Sequence, residues 1–559
     1  MTTFAQILQR AYQSRPEKTV LTLLTTGQPD QSISTSQLVQ GATGYAQTLQ
    51  AHGIQPGEVV ILILQHGLDL VYAYFGCILH GAIPSIMPFL TEKLLPERYR
   101  ADLAALVSVT QPAAIITYPD FESEVRAALK PGDSVRLVLL CTQANPPCPP
   151  NFDQLPGLLR TPQDIVLLQH SSGTTGLQKG VALSHQAVHH QLQSYSKAIR
   201  LNEQDVIVSW LPLYHDMGLI AGFLMPILLG IPLVLMSPFD WVRSPVRLLQ
   251  AVSRYRGTLS WLPNFAYNFC AQKIRARDLE GIDLSSWRAV INCSEPMRWE
   301  SQQNFLQRFQ PYGLNPAALC TCYAMAENVF AVTQGGIDSP VTVEAINRDA
   351  LQTRRSAPLA AADEAAVYML SAGRPIEGVS IQIRDEDGNP LPERSIGEIA
   401  IQSHCMLSEY YHRPDATAQA LVNGWYRTGD LGYQANGELY ITGRKKDLII
   451  VGGKNIYPQD LELLAMEVPG VHMGRVSAFG IFNDETGTED VVIVAETDAQ
   501  TPAEREAIAD QIRQVVTRGS AIALHHVYIV DRHWLVKTSS GKTARSANKE
   551  KYLAEIAQH

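Results

Sequence analysis

Charge and cysteine are both scarce in this sequence, and their scarcity excludes several classes of protein. Only 18% of the 559 residues are charged, the formal net charge is −9, and no long basic run occurs, so nucleic acid is not expected as the main partner. The eight cysteines form no CxxC pair and no zinc-like spacing. Reduced thiols in a cytoplasmic protein are therefore expected.

Signals for export and for membrane insertion are also weak. The amphipathic N-terminus is interrupted by Arg10 and Arg15 and has no apolar core fit for a signal peptide. Residues 219–236 are uncharged and long enough to span a bilayer, but two glycines and two prolines interrupt them. We expect a buried helix up to about Leu229, a turn and a buried strand, and no transmembrane segment.

The rest of the chain alternates between short apolar runs and helical patterns. Residues 59–64, 113–118 and 134–141 resemble buried strands, and residues 68–82 between them resemble a helix. This alternation predicts an α/β fold with mainly buried sheets. The length requires more than one core, so we expect a large N-terminal domain of several subdomains.

A second domain is predicted after a basic, glycine-bearing joint at residues 443–458. A hairpin-like pattern, with 437–443 as its second strand, precedes the joint, and a new α+β pattern follows it. The sequence therefore predicts an N-terminal domain at 1–443 and a small, mobile C-terminal domain at 444–559. The joint is either a hinge or an ordinary linker.

The strongest local motif combines two hydroxyl pairs, glycines and a lysine between two predicted strands. Small residues let backbone N–H groups approach phosphate oxygens closely, and a lysine adds positive charge. The spacing is not that of a Walker loop, and a flexible surface hairpin is the alternative. The candidate phosphate-binding residues are Ser171, Ser172, Gly173, Thr174, Thr175, Gly176 and Lys179.

This motif resembles the phosphate loop of the adenylate-forming superfamily, which includes acyl-CoA synthetases, luciferases and fatty acyl-AMP ligases. Four further signatures of that superfamily follow in order, at residues 323–327, 426–430, 443–447 and 539–542. The resemblance covers nearly the whole chain. It implies an ATP-dependent acid ligase, in which a carboxylate attacks the α-phosphorus of ATP and expels pyrophosphate.

The resemblance also implies a role for each matching residue. Lys542 would reach the carboxylate and the phosphate, Glu327 would hold Mg²⁺, and Tyr323 would stack on adenine. Asp430 would bind the ribose hydroxyls, and Arg444 would contact ribose or phosphate. Without the resemblance, Lys542 would be interpreted as a surface lysine, Tyr323 as a core tyrosine and Glu327 as a helix N-terminal charge.

Three further positions follow from the same comparison. His215 matches a position near the carboxylate and the α-phosphate, and Lys446 matches the hinge about which the C-terminal domain rotates between half-reactions. The segment at 293–296 resembles the one that lies along adenine. The resemblance completes the nucleotide-binding set with Ser294, Glu295, Cys322, Ala324 and Met325.

Residues 209–220 and 261–267 are similar to the fatty acyl-AMP ligase branch, which also has an insertion at the position of residues 340–370. This branch implies a fatty acid substrate and an acyl carrier protein of polyketide or lipopeptide synthase type as acceptor, with coenzyme A disfavoured. The alternatives are a fatty acyl-CoA synthetase, a carrier-loading ligase for an aryl or short acid, and an inactive binding module. The insertion could also be a variable surface excursion.

Overall fold

The computed structural model describes residues 2–89, 96–170, 179–451, 454–483, 488–520, 522, 524, 526–538 and 541–556. Two seven-stranded sheets form the centre of the N-terminal part. Their strands are short, apolar and buried, as expected for sheets that helices cover on both faces.

The first sheet is parallel except for the strand at one edge, which pairs in the antiparallel direction. Its parallel strands all end at the same side of the sheet, where a crevice outside their carboxyl ends can hold a ligand. In spatial order its strands are Leu319–Cys322, Ala289–Cys293, Leu259–Leu262, Ile207–Ser209, Leu233–Met236, Thr19–Leu24 and Gln31–Ser34.

The second sheet contains the three apolar runs that the sequence predicted as strands, although each strand is shorter than its run. Four of its neighbouring pairs are parallel, and the two pairs at one edge are antiparallel. In spatial order its strands are Glu409–Tyr410, Gly180–Ser184, Ile165–His170, Ile83–Ile86, Val59–Ile63, Ala114–Thr117 and Leu137–Leu140.

An antiparallel sheet adjoins these two and contains the predicted hairpin, with strands Trp425–Ala435 and Glu438–Arg444. The other strands of this sheet are Val379–Arg384, Gly397–Ser403 and Leu421–Val422. Two small antiparallel pairs lie nearby: Thr333–Gln334 with Arg374–Pro375, and Val343–Asn347 with Ala366–Leu370.

Helices cover the sheets and connect their strands. The predicted helix at 68–82 is present as Leu68–His80 and is almost entirely buried. The α-helices before residue 444 are Phe4–Ser14, Thr35–Ala51, Leu68–His80, Pro96–Thr110, Glu122–Ala128, His185–Ala198, Met225–Leu229, Pro238–Arg243, Val246–Tyr255, Asn264–Lys273, Trp299–Phe309, Arg348–Thr353 and Pro414–Ala420.

The apolar stretch at 219–236 forms a buried helix, a turn and the strand Leu233–Met236, as predicted. The start of this helix differs from the expectation, because the segment Met217–Leu224 is π-helical. Gly218 is required there, since a Cβ at this position would lie 2.2 Å from the carbonyl oxygen of Pro212. Within the described residues no helix is both long enough and apolar enough to cross a membrane.

The C-terminal part has an apolar core of its own, formed by residues between Ile449 and Ile522. The fold class is confirmed: an α/β protein with a large N-terminal domain and a smaller C-terminal one. The strand Val471–Asn483 and the helix Arg545–Ile556 were not predicted. The remaining C-terminal elements are the strands Ile449–Val451, Lys454–Ile456, Thr488–Thr497 and His526–Val530 and the helices Pro458–Met466 and Pro502–Ser520.

Candidate active site

The predicted phosphate loop connects the antiparallel strands Ile165–His170 and Gly180–Ser184, in which His170 pairs with Gly180. The end of this loop can be placed, because Lys179 Nζ lies 4.7 Å from the centre of the Tyr410 ring. The other predicted members of the loop lie outside the described residues: Ser171, Ser172, Gly173, Thr174, Thr175 and Gly176.

Tyr410 connects Lys179 to Glu327. The Tyr410 hydroxyl donates to Glu327 Oε1 at 2.8 Å and lies 2.9 Å from the Tyr426 hydroxyl. Because the carboxylate can only accept, Tyr410 uses its proton there, and Tyr426 must donate to Tyr410. Sequence reasoning missed Tyr410, since it lies 83 residues from Glu327 and has no local motif of its own.

Asp430 is held between a tyrosine and an arginine. The Tyr323 hydroxyl donates to Asp430 Oδ2 at 2.6 Å, and Arg444 Nε donates to Oδ1 at 3.1 Å. The hairpin explains the second contact, because Asp430 and Arg444 are paired across its two strands. Burial and the Asp430 charge raise the pKa of Tyr323 well above its usual value, so its hydroxyl remains a donor.

The predicted adenine-binding residues follow two neighbouring parallel strands of the first sheet. Cys293 and Cys322 are paired across these strands, so Ser294 and Tyr323 emerge at the same carboxyl edge. Ser294 has φ of +70°, a backbone conformation that is rare for a residue other than glycine and is often found at functional sites. Beyond Tyr323 the chain turns back, and the Met325 N–H donates to the Phe330 carbonyl at 2.9 Å.

The neighbouring Ala324 forms an isolated bridge to Ala331 in the same turn. On the other strand, Glu295 follows Ser294 and accepts a hydrogen bond from the Phe265 N–H at 2.9 Å. Burial raises the pKa of Glu295, while that bond and the positive charges of Lys542 and Lys537 oppose the rise. The structure therefore brings the two predicted adenine segments together at one edge of the sheet.

His215 and Asp216 lie at the start of the π-helical segment. Asp216 Oδ1 accepts from the Met217 N–H at 2.8 Å, which caps this segment. Burial raises the pKa of Asp216, although Lys542 opposes the rise. Burial, assisted by the charge of Lys542, lowers the pKa of His215 to about 3, so the imidazole is neutral near pH 7.

Lys542 belongs to the C-terminal domain and is presented by a tight turn. The Thr538 N–H donates to the Lys542 carbonyl at 2.8 Å, and the Lys542 N–H donates to Thr538 Oγ1 at 3.2 Å. Its charge acts on His215, Asp216 and Glu295, all of which belong to the N-terminal domain. Within the described part of the chain, the Lys542 ammonium makes no hydrogen bond or ion pair.

Electrostatic interactions connect these groups across the two domains, and we call the place where they meet the cleft. The charge of Glu327 acts on Asp216 and on Arg444. Lys446 lies two residues after Arg444, in the short 3₁₀ turn Lys445–Asp447. Burial lowers the pKa of Lys446, and the charges of Arg444 and Lys179 lower it further. The predicted site residues that the structure describes therefore converge.

Known proteins are similar to this chain in sequence and in architecture. The family described as AMP-binding enzyme matches residues 8–411. The chain is 31% identical to the medium-chain-fatty-acid–[acyl-carrier-protein] ligase JamA of Moorena producens, over 93% of this chain and 90% of that protein. It is also 31% identical to the long-chain-fatty-acid–AMP ligase FadD32 of Mycobacterium marinum, over 89% of this chain and 85% of the relative.

A solved structure from a study of fatty acyl-adenylate ligases of E. coli and L. pneumophila superimposes with a TM-score of 0.91. It is 29% identical in sequence, and the match covers 100% of this chain and 99% of the other. These matches confirm the resemblance that the motifs indicated. The chain therefore belongs to the AMP-binding enzyme family, as an ATP-dependent ligase of the fatty acyl-AMP ligase type.

Proposed function

We propose that this chain joins a fatty acid to AMP at the expense of ATP and then transfers the acyl group to an acyl carrier protein. The observation that carries the proposal is that contacts and electrostatic interactions link Lys179, Glu327, Asp430 and Lys542 to one another. These groups come from distant parts of the chain, and each suits a different part of an acid–ATP pair.

The N-terminal domain binds ATP. Lys179 binds phosphate beside the glycine-rich loop, and the ring of Tyr323 stacks on adenine. Asp430 accepts from the ribose hydroxyls, because each of its oxygens retains a lone pair after bonding to Tyr323 or Arg444. The bonds from Tyr323 and Arg444 fix the orientation of the carboxylate before the nucleotide arrives, which lowers the entropic cost of binding.

The first reaction brings two anions together. A carboxylate oxygen of the fatty acid attacks the α-phosphorus, a new P–O bond forms, and the bond to the bridging oxygen breaks so that pyrophosphate leaves. The Lys542 ammonium, which no other described side chain pairs with, stabilises the charge of both reactants at this point. Its position beside His215 and Asp216 places it near the end of the uncharged stretch that begins at Leu219.

His215 acts as a neutral hydrogen-bonding group in this scheme. Its Nε2 atom is buried and has no hydrogen-bond partner among the described residues. In the tautomer that carries its proton on Nε2, the ring donates to an oxygen of the substrate carboxylate or the α-phosphate. The low pKa of His215 keeps a second positive charge away from Lys542.

Glu327 is the proposed Mg²⁺ ligand. Its Oε1 atom accepts from Tyr410. A single carboxylate suits Mg²⁺, which takes one or two protein carboxylates together with substrate phosphates and water. The described residues contain no cluster of three or more metal-ligating side chains, in keeping with this sparse kind of coordination. The ion would offset the phosphate charge.

The carrier protein is the proposed acceptor because of the insertion at 340–370. Ile346 and Leu351 of this segment share an apolar cluster with Tyr457 of the C-terminal domain. Arg348 Nη1 donates to the Gly519 carbonyl at 2.9 Å, and Asn455 Nδ2 donates to the Gln352 carbonyl at 3.3 Å. These contacts support restraint of rotation about Lys446, which we propose disfavours coenzyme A.

The division at residues 443 and 444 belongs to the same proposal, since Lys446 then lies at the joint between the two rigid parts. All eight cysteines are free thiols, and this supports the proposed cytoplasmic location. The carrier protein is proposed to be of the polyketide or lipopeptide synthase type.

A panel of acids with ATP and Mg²⁺, scored by pyrophosphate release, tests the first reaction. A phosphopantetheinylated carrier protein and coenzyme A are then offered separately to the adenylated enzyme. We expect release to require a fatty acid and thioester to accumulate on the carrier protein. Equal accumulation on coenzyme A would contradict the acceptor, and release that is independent of the acid would contradict the whole proposal.

A further inference from the structure

An ion pair crosses from one domain to the other at the edge of the cleft. The guanidinium of Arg298 contacts the carboxylate of Asp460, and their side chains are only 19% and 37% exposed. Arg298 ends the loop that begins at Ser294 in the N-terminal domain. Asp460 lies in the first turn of the helix Pro458–Met466, beyond Lys446. A rotation of the C-terminal domain about Lys446 would separate the two groups.

The main chain at Arg298 is fixed to the N-terminal domain. The Arg298 N–H donates to Asn264 Oδ1 at 3.1 Å, and Asn292 Nδ2 donates to the same oxygen at 3.0 Å. Asn264 Nδ2 in turn donates to Ser301 Oγ at 3.1 Å. The buried Asn264 therefore fixes the main chain of Arg298. Because the main chain is fixed, the guanidinium reaches Asp460 from a defined position.

A second electrostatic interaction crosses the same boundary. Glu295 lies three residues before Arg298, and the positive charges of Lys542 and Lys537 act on it from the C-terminal domain. The segment 295–298 thus presents a negative and then a positive group to the C-terminal domain, which presents groups of the opposite sign. This complementarity favours one orientation of the C-terminal domain over others.

We infer that Arg298 is a positioning residue, whose ion pair with Asp460 holds the C-terminal domain in the arrangement that places Lys542 beside His215. We call this pair the Arg298–Asp460 latch. A contact that is made in only one of two domain arrangements shifts the equilibrium toward that arrangement by its own free energy. The inference rests on the proposed function, since it assigns the latch to the adenylation step and not to acyl transfer.

The test compares the two half-reactions in Arg298→Gln, Asp460→Asn and the double variant. Pyrophosphate release measures adenylation, and transfer from purified acyl-AMP to the acceptor thiol measures the second step. We expect each single change to lower kcat for adenylation about tenfold, with little change in KM for ATP and no loss in transfer. The double variant should be no slower than either single variant, because both changes remove the same contact.

Two further variants separate positioning from a general structural role. Arg298→Lys retains the charge and should keep adenylation within about threefold of the parent enzyme. Arg136→Gln breaks a 2.6 Å ion pair with Glu58 inside the N-terminal domain and should leave both half-reactions unchanged. Circular dichroism melting of every variant shows that the comparison is made on folded protein.

The inference is overturned if Arg298→Gln and Asp460→Asn slow both half-reactions equally, if neither slows adenylation, or if their effects multiply in the double variant. Each of these results leaves the proposed function intact, provided that the parent enzyme still releases pyrophosphate only with a fatty acid. A parent enzyme without that activity would instead refute the proposed function itself.

Discussion

The two halves of the cleft are held together in different ways. In the N-terminal half, the side chains are hydrogen-bonded: Asp430 accepts from Tyr323 and from Arg444 at the domain boundary, and Glu327 accepts from Tyr410. In the C-terminal half, the main chain of Lys542 is hydrogen-bonded to Thr538, and among the described residues its ammonium has no hydrogen-bond or ion-pair partner. The nucleotide-binding side chains are therefore preorganised, whereas Lys542 can move out of the site.

This difference has a physical reason. Fixed donors and carboxylates bind ATP without reorganisation when it enters, which favours affinity. A lysine with strong side-chain bonds in the cleft would have to break them before each domain rotation. Lys542 avoids that cost, and the contacts that hold its domain lie farther out, at Arg298 and along the insertion at 340–370.

The largest predicted effect comes from removing the ammonium group of Lys542, which belongs to the C-terminal half of the site. Lys542→Ala should lower acid-dependent pyrophosphate release about 10²- to 10³-fold, the usual loss for one preorganised charge or donor. ATP binding, measured by calorimetry, should change little, because its contacts are in the N-terminal domain. The partly buried Lys549→Ala is the control in the same domain, and unchanged turnover in Lys542→Ala would refute the catalytic assignment.

The next effect comes from weakening the preorganised half. Asp430→Asn keeps the shape of the side chain but removes the charge that Tyr323 and Arg444 surround. We expect KM for ATP to rise about tenfold, since hydrogen bonds to charged groups contribute about 1.5–3 kcal/mol. Asp278→Asn, at an exposed ion pair with Arg275, is the control and should leave KM unchanged. An unaltered KM in Asp430→Asn would show that this half does not bind nucleotide.

The contacts of the site differ in whether they could be predicted from the sequence. Asp430 and Arg444 were predicted from two separate signatures of the superfamily that the sequence resembles, and the hairpin that pairs them follows from alternation and turn residues. The bond between Tyr410 and Glu327 and the pair of Arg298 with Asp460 could not be predicted. Each joins residues more than 80 positions apart, so its formation depends on strand order and domain docking.

Some elements were missed for local reasons. The strand Val471–Asn483 mixes small, polar and apolar residues in its first half, so it has no clear alternation there. In the helix Arg545–Ile556 only Asn548 and Tyr552 are buried, and such a narrow buried face gives a weak helical pattern. In the π-helical turn Met217–Leu224, Gly218 lies against the carbonyl of Pro212, six residues earlier, and helix propensity does not encode this close approach.

A smaller effect is expected from the pH dependence of His215, which lies where the two halves meet. Its folded pKa of about 3 lies below the unfolded value near 6.5, so the unfolded chain takes up a proton first as pH falls. The stability that this neutral ring contributes is complete above pH 6.5 and is lost as pH falls toward 3. In denaturant titrations, the free energy of unfolding of the parent protein should fall by about 1.4 kcal/mol more than that of His215→Gln between pH 8 and pH 5.5.

Other buried histidines titrate in the same window. The pKa values of His66, His170 and His185 are each lowered to about 4 by burial, so the parent protein and His215→Gln share that part of the loss. The difference between the two proteins isolates His215. Parallel stability curves would mean that the His215 ring is exposed to water, and it would then contribute no fixed neutral donor beside Lys542.

The smallest effect is predicted for Tyr410→Phe, which sharpens the comparison within the N-terminal half. The change removes the hydroxyl that donates to Glu327 but keeps the ring against which Lys179 lies. One lost hydrogen bond should cost about 1 kcal/mol of unfolding free energy and raise KM for Mg·ATP a few-fold, with kcat nearly unchanged. Tyr410→Leu also removes the ring and should raise KM further. If Tyr410→Phe instead lowered kcat as strongly as Lys542→Ala, the carboxylate of Glu327 would have to move during the reaction, and this half of the cleft would be no more preorganised than the other.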